Sequence, residues 1–321
     1  MPFINAISYY LPDQSLSNEN LNEVFPDWSV DKISSKTGIS NRHIAAKDEY
    51  TSDMAVKAAE KLFSEHGISP SDIDYILLCT QSPDYFLPTS SCIVQARLGV
   101  PSTSGALDFN LGCSGYIYGL NLAKGLILSE EAKNVLLITS ETYSKYLKED
   151  DKSVRTIFGD AAAATLISAD SNGLSARVAR FALGTDGAGA ENLIVKNGGS
   201  RNPGLKPELF MNGPDIFAFT LKRVPEVINR LLEKNGMTLE NIDLFIFHQA
   251  NKYMLQHLQQ KIGIPEEKHF IFLEDCGNTV SSTIPIAMHE ALRQGRIKAG
   301  MNVLLCGFGV GLSWGATIIK Y

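Results

Sequence analysis

The sequence predicts an α/β fold built from two similar halves, and three observations carry that prediction. Leu62-Phe63-Ser64-Glu65-His66-Gly67 followed by Ile73-Asp74-Tyr75-Ile76-Leu77-Leu78-Cys79 recurs 169 residues later as Leu231-Leu232-Glu233-Lys234-Asn235-Gly236 followed by Ile242-Asp243-Leu244-Phe245-Ile246-Phe247-His248. A second pair, Asn134-Val135-Leu136-Leu137-Ile138 and Asn302-Val303-Leu304-Leu305-Cys306, recurs at an offset of 168. Apolar positions at helical spacing also alternate with continuous apolar runs along both halves. A long repeat of alternating helices and strands implies two layered units around a pseudo-twofold axis, expected at residues 1–172 and 173–321.

The elements follow in order. Met1-Pro2-Phe3-Ile4-Asn5-Ala6 suits a first strand. Met54, Ala55, Ala58, Ala59, Leu62 and Phe63 mark one face of a helix, with Thr51 or Ser52 as its expected cap and Gly67 just past its end. Residues 75–79 read as a strand covered on both faces, as do 134–138. Cys113 falls where the strand around Asp108-Phe109 gives way to a buried helix beginning near Tyr116. The small residues of Phe158-Gly159-Asp160-Ala161-Ala162-Ala163-Ala164 suit a close approach between sheets or subunits. In the second half, a strand ends at His248, and Gly277-Asn278 precedes a helix expected from about Thr279. Gly307 to Gly315 reads as a glycine-rich hairpin between two strands, with close backbone approach.

The chain has 321 residues, 44% of them hydrophobic and 20% charged, enough for a large core and for two fused units. A net charge of -6 and the absence of any long Lys/Arg run argue against nucleic acid as a partner. The N-terminus lacks a basic-then-apolar leader, and no uninterrupted apolar window reaches transmembrane length, so no membrane insertion and a cytoplasmic location are expected. Five cysteines at irregular spacing, without a C-x-x-C pair, fit neither a disulfide framework nor a zinc site.

Three short strings supply the candidate chemistry: Leu111-Gly112-Cys113-Ser114-Gly115, His248-Gln249-Ala250-Asn251 and Gly277-Asn278-Thr279. Ligands in open α/β sheets bind beyond the carboxyl ends of the strands, where all three fall. Together they offer a thiol, an imidazole and a carboxamide. A helix N-terminus beside Cys113 is expected to lower its thiol pKa. Asn278 also suits a helix N-cap, and backbone N–H groups of the Gly-rich hairpin suit an oxyanion.

These motifs, with Thr37-Gly38-Ile39-Ser40-Asn41-Arg42-His43-Ile44-Ala45 and Phe158-Gly159-Asp160, make the chain resemble the β-ketoacyl-acyl-carrier-protein synthase III family over nearly its whole length. The resemblance implies a thiolase-like αβαβα layered fold, a homodimer, and catalysis by Cys113, His248 and Asn278. Cys113 would take an acyl group from a thioester, with the N–H groups of Cys113 and Val310 as its oxyanion hole. His248 and Asn278 would then stabilise the enolate formed as malonyl-acyl-carrier protein loses CO2, giving a β-ketoacyl thioester and initiating fatty acid synthesis. No metal, prosthetic group or other cofactor is implied. The substrates would be acyl-coenzyme A and acyl-carrier-protein thioesters.

The resemblance also implies substrate contacts from Lys36, Lys152, Arg155, Phe217, Asn251 and Gly309, with Leu87 supplied by the partner subunit to the end of the acyl pocket. Lys222, Arg223, Lys252 and Lys261 are the candidate docking surface for the carrier protein; Tyr253 stands where an Arg is expected. Lys32 replaces the Trp that usually stacks on the adenine of coenzyme A, with Trp28 four residues earlier, and Lys36 replaces an Arg. Val310 occupies a position that is usually Gly. A specialised acyltransferase or condensing enzyme of secondary metabolism or surface-sugar acyl supply is the main alternative. A catalytically inactive scaffold subunit and a cysteine hydrolase with similar Cys, His and Asn spacing are remoter ones.

Overall fold

The computed structural model describes residues 1–321. The first half contributes strands β1 (Phe3–Tyr10), β2 (Gln14–Ser17), β3 (Asn41–Ile44), β4 (Tyr75–Cys79), β5 (Gly105–Phe109), β6 (Asn134–Glu141) and β7 (Ala161–Ser168). Its helices are α1 (Asn18–Val24), α2 (Val30–Thr37), α3 (Thr51–His66), α4 (Ser90–Leu98), α5 (Gly115–Leu128) and the single turn α6 (Lys152–Arg155). The second half contributes β8 (Ala176–Thr185), β9 (Leu193–Val195), β10 (Leu209–Met211), β11 (Leu244–Phe247), β12 (His269–Phe270), β13 (Asn302–Gly309) and β14 (Ser313–Lys320), with helices α7 (Gly213–Asn235), α8 (Lys252–Ile262) and α9 (Thr283–Arg293).

Ten strands form one sheet in the order β12-β11-β13-β14-β8-β1-β7-β6-β4-β5. Reading outward from the β8–β1 junction, the two halves run in the same sequence: first strand, last strand, then three strands whose mutual pairings are parallel. The 169-residue and 168-residue offsets are thus explained, because β4 matches β11 and β6 matches β13. Gly173, in the left-handed region at φ +62°, turns the chain from β7 to β8, and we propose this turn as the division between the halves.

Three cores separate five layers. Helix α3 buries Met54, Ala55, Ala58, Ala59 and Leu62 against the first half-sheet. Helix α7 buries Val224, Val227, Ile228 and Leu231 against the second. Between the half-sheets lie α5 and α9, whose Tyr116, Ile117, Leu120, Ile284, Ala287 and Met288 pack against strands of both. Helix α5 is buried where it packs between the half-sheets, while Leu122 and Leu128 along its remaining side are exposed.

Two sequence expectations are corrected at helix starts. Thr51 and Ser52 do not cap α3; its cap is Tyr50, whose N–H donates to the Asp53 carboxylate at 2.8 Å. Thr51 and Ser52 are buried and donate instead to the Ser82 carbonyl and to Asp84, each at 2.6 Å. Helix α9 begins at Thr283 rather than near Thr279. Val280 sits in the left-handed region at φ +55°, which a β-branched residue rarely adopts and an α-helix cannot contain.

Candidate active site

Cys113 lies in the bend between β5 and α5 and is 5% exposed. Two glycines allow the hairpin of β13 and β14 to close over it. A Cβ on Gly309 would stand 2.9 Å from Cys113 Cβ and Sγ, and one on Gly307 would stand 2.8 Å from the Cys113 carbonyl oxygen. The backbone N–H groups of Cys113 and Val310 act to lower the thiol pKa. Burial nevertheless pushes the thiol up to about 12, and the charge of Glu141 acts in the same direction. The expected lowering is therefore not found. Cys113 lies before the helix, which starts at Gly115 with Ser114 as its cap, and desolvation of the sulfur outweighs the helix N-terminus. The resting group is a thiol.

His248 directly follows β11, fixed by its N–H bonding to the Cys306 carbonyl at 2.8 Å. Its ring packs edge-on against Phe308, with centroids 5.5 Å apart. Nδ1 lies 2.7 Å from Thr283 Oγ1, which donates in turn to the Val280 carbonyl at 3.1 Å. Burial lowers the imidazole pKa to about 3, so the ring is neutral throughout the physiological range.

Asn278 is held from both sides. Its N–H donates to Ile157 O and its carbonyl accepts from Gly159 N–H, each at 3.0 Å. Its Oδ1 accepts from Val280 N–H at 2.9 Å, which turns Nδ2 toward His248 Nε2, 3.5 Å away. Gly277 before it, at φ +69°, approaches the Ile157 carbonyl so closely that a Cβ would stand 2.9 Å from it.

Cys113, His248 and Asn278 line one cavity of about 340 Å³, with Phe308 and Gly309 also at its deep end. Toward the surface the walls are Asn251, Phe217, Tyr253 and Pro214. One imidazole, one carboxamide and a protonated thiol are a poor donor set for a metal. They suit thioester chemistry: a nucleophile with backbone N–H groups beside it, and two side-chain nitrogens 3.5 Å apart in the same cavity.

Comparison with known proteins decides the family. Residues 107–187 match the family model described as 3-oxoacyl-[acyl-carrier-protein] synthase III, and residues 232–321 match its C-terminal counterpart. A β-ketoacyl-[acyl-carrier-protein] synthase III of Clostridium perfringens is 39% identical, covering 97% of this chain and 96% of that one. The chain belongs to the β-ketoacyl-acyl-carrier-protein synthase III family. A solved 3-oxoacyl-(acyl-carrier-protein) synthase III is 47% identical with a TM-score of 0.97, covering 100% of this chain and 99% of that one. The corresponding enzyme of Aquifex aeolicus is 34% identical, with a TM-score of 0.92 and 100% of each chain covered. This synthase III chain is accordingly an acyltransferase of the condensing type with the thiolase-like layered fold.

The remaining sequence candidates of the synthase III chain fall in three places. Phe217, Asn251 and Gly309 line the cavity, with Phe217 stacked on Tyr253 at 5.6 Å between centroids. Lys36 and Lys152 lie outside it, their ammonium groups 5.2 and 5.6 Å from the Trp28 ring centroid, and Lys32 lies 5.2 Å from the same ring. Lys152 also pairs with Asp27 at 2.5 Å, and Arg155 donates to the Glu149 carbonyl at 2.8 Å while covering Phe25. Of the docking candidates, Lys222, Lys252 and Lys261 are exposed, whereas Arg223 is engaged with Glu226 and Asp186. Leu87 is 84% exposed on a loop outside its own chain's cavity.

Sequence reasoning missed Thr283, Val280, Glu141 and Gln81. Thr283, Glu141 and Gln81 act through contacts between segments far apart in the chain, whereas Val280 acts locally on Asn278 through a left-handed backbone that a β-branched residue gives no reason to expect. The 168-residue repeat was the one available signal for Glu141, which ends the strand matching β13 beside the hairpin over Cys113.

Proposed function

We propose that this protein catalyses decarboxylative Claisen condensation of an acyl thioester primer with malonyl-acyl-carrier protein, initiating fatty acid synthesis. The observation that carries this reading is the convergence of His248 Nε2 and Asn278 Nδ2 on the cavity that holds Cys113. At 3.5 Å they are too far apart for a good mutual hydrogen bond. Two donors converging on one oxygen is what an enolate requires.

In the first half-reaction the Cys113 sulfur attacks the primer carbonyl and its proton passes through His248 Nε2 to the departing thiol. The N–H groups of Cys113 and Val310 stabilise the tetrahedral oxyanion. In the second, the malonyl thioester carbonyl sits against His248 and Asn278. Loss of CO2 leaves the electron pair on the α-carbon and, by resonance, on that oxygen. The carbanion attacks the acyl carbonyl, and Cys113 leaves as a thiolate that takes up a proton. The Thr283 hydroxyl accepts from Nδ1–H when Nε2 must be basic and donates to Nδ1 when Nε2–H must meet the carbonyl. No cofactor enters either half-reaction.

Trp28 ringed by Lys32, Lys36 and Lys152 supports coenzyme A as the primer carrier. An aromatic face for adenine and ammonium groups for phosphate are present together, although Lys32 stands where a Trp was expected. Helix α2, which carries Lys32 and Lys36, packs on α8 at the cavity mouth, where Gly38 meets the Lys252 side chain. Lys222, Lys252 and Lys261 form the proposed carrier-protein surface. The exposed Tyr85, Phe86 and Leu87, at 62%, 87% and 84%, fit a homodimer in which this loop is covered. No helix is long and apolar enough to cross a membrane, and we propose a cytoplasmic site of action.

Incubation with acyl-coenzyme A and malonyl-carrier protein, read by the intact mass of the carrier protein, tests the reading. The expected product has gained the acyl group and lost CO2. An unchanged malonyl group with every primer tried would overturn it.

A further inference from the structure

We propose that Arg42 is a positioning residue for condensation, which fixes the backbone seat of Asn278 and so governs the enolate step without governing acylation of Cys113. The inference rests on the two-step reaction proposed above.

Arg42 lies on β3 and is fully buried. Its guanidinium is met by neutral oxygens alone. Nε donates to the Thr156 carbonyl at 3.0 Å and Nη2 donates to the same oxygen, while Nη1 donates to Asn18 Oδ1 at 2.5 Å and to the Ser40 carbonyl at 3.4 Å. Burial alone acts on its pKa, lowering it to about 10, so the group is a cation at neutral pH with no carboxylate to balance it. An apolar side chain would fill a buried space at lower cost than such a charge, which directs attention to what the fork holds.

It holds the segment on which Asn278 is seated. The residue after Thr156 is Ile157, whose carbonyl accepts the Asn278 N–H, and Gly159 N–H donates back to the Asn278 carbonyl, each at 3.0 Å. The Arg42 stem lies against both sides of this seat. A Cβ on Gly277, just before Asn278, would stand 3.1 Å from Arg42 Cγ, and one on Gly159 would stand 3.4 Å from Arg42 Cβ. Two N–H groups on one carbonyl fix its direction as well as its position, which a single ammonium does not do. Cys113 has separate supports in Gly307 and Gly309 of the β13–β14 hairpin, and no hydrogen bond of the Arg42 guanidinium reaches that hairpin. The grip therefore bears on Asn278 and not on the nucleophile.

The test follows two single-turnover steps, acetylation of Cys113 by acetyl-coenzyme A and discharge of the acetyl-enzyme by malonyl-carrier protein. It uses the full-length protein, Arg42→Lys, Asn278→Ala and the double variant, with thermal unfolding to show that each folds. Arg42→Lys keeps the charge and loses the fork. Because small misplacements of a reacting group are costly, discharge is expected to slow by about 10- to 100-fold while acetylation stays close to that of the unmodified protein. In the Asn278→Ala background the same substitution is expected to have little further effect on discharge, since it acts through Asn278. Asn18→Ala, which frees one end of the fork and leaves the grip on Thr156, is expected to show the same selectivity at smaller size, and it decides the matter if Arg42→Lys does not fold. The proposal is overturned if the folded variants slow both steps equally, if none of them slows discharge, or if Arg42→Lys costs as much beside Asn278→Ala as it does alone. Failure of the unmodified protein to discharge with malonyl-carrier protein would instead defeat the function on which the proposal rests.

Discussion

His248 Nε2 and Asn278 Nδ2 stand 3.5 Å apart at the end of the Cys113 cavity, held there by two different backbone supports. His248 hangs from the end of β11 through Cys306, and Asn278 from the turn that bonds Ile157, Gly159 and Val280. In the proposed mechanism they share one oxygen in the second half-reaction, and Asn278 has no part in the first. Asn278→Ala is thus expected to keep acylation of Cys113 close to normal and to lose about 10²- to 10³-fold in decarboxylative condensation. Single-turnover mass measurements of the two steps separate these effects, and equal losses in both would refute the division of labour.

Thr283→Val keeps the side-chain volume and removes the hydroxyl 2.7 Å from His248 Nδ1. Leaving a buried ring nitrogen unpaired costs about 1–3 kcal/mol. The expected result is a fall of about 10-fold or more in kcat with little change in KM for malonyl-carrier protein, and Thr283→Ser is expected to restore most of the rate.

The fold was legible because the repeat survives in the sequence: Gly67 and Gly236 end equivalent helices, and residues 75–79 and 244–247 are equivalent buried strands. The three candidate site residues were legible because each sits in a short string, His248 directly after a strand and Cys113 and Asn278 just ahead of helical turns. What supports them was not. Glu141 meets Gln81 and Ser281, 60 and 140 residues away, by contacts that leave no local pattern. Cys113 misled in one respect. Its helix-terminal position suggested an acidic thiol, whereas the depth of burial, which no string records, sets the opposite direction.

Glu141 is fully buried, and burial raises its pKa from 4.5 to about 8. Between those values the folded chain holds a proton that the unfolded chain releases, so stability contributed by this group is present below about pH 4.5 and is lost as pH rises through about 8. Glu141→Gln, which is always neutral, is expected to flatten the decline in Tm over that interval. A decline of the same slope in the variant would show that Glu141 does not titrate there.

Trp28→Ala removes the ring that gathers Lys32, Lys36 and Lys152. If this ring receives coenzyme A, KM for acyl-coenzyme A is expected to rise about 10-fold, on the order of 1.4 kcal/mol, while KM for acyl-carrier-protein donors stays unchanged. Steady-state kinetics with both donor types decides this, and a parallel rise in both would place Trp28 in a structural role.

The most direct test is the intact mass of the protein after exposure to acyl-coenzyme A and acyl-carrier-protein donors, beside Cys113→Ala, followed by malonyl-carrier protein. The account expects one acyl group on Cys113, none on the variant, and discharge of the adduct by malonyl-carrier protein with appearance of the β-ketoacyl product. No Cys113-dependent adduct with any donor, or an adduct that only acceptors other than malonyl thioesters discharge, would contradict it.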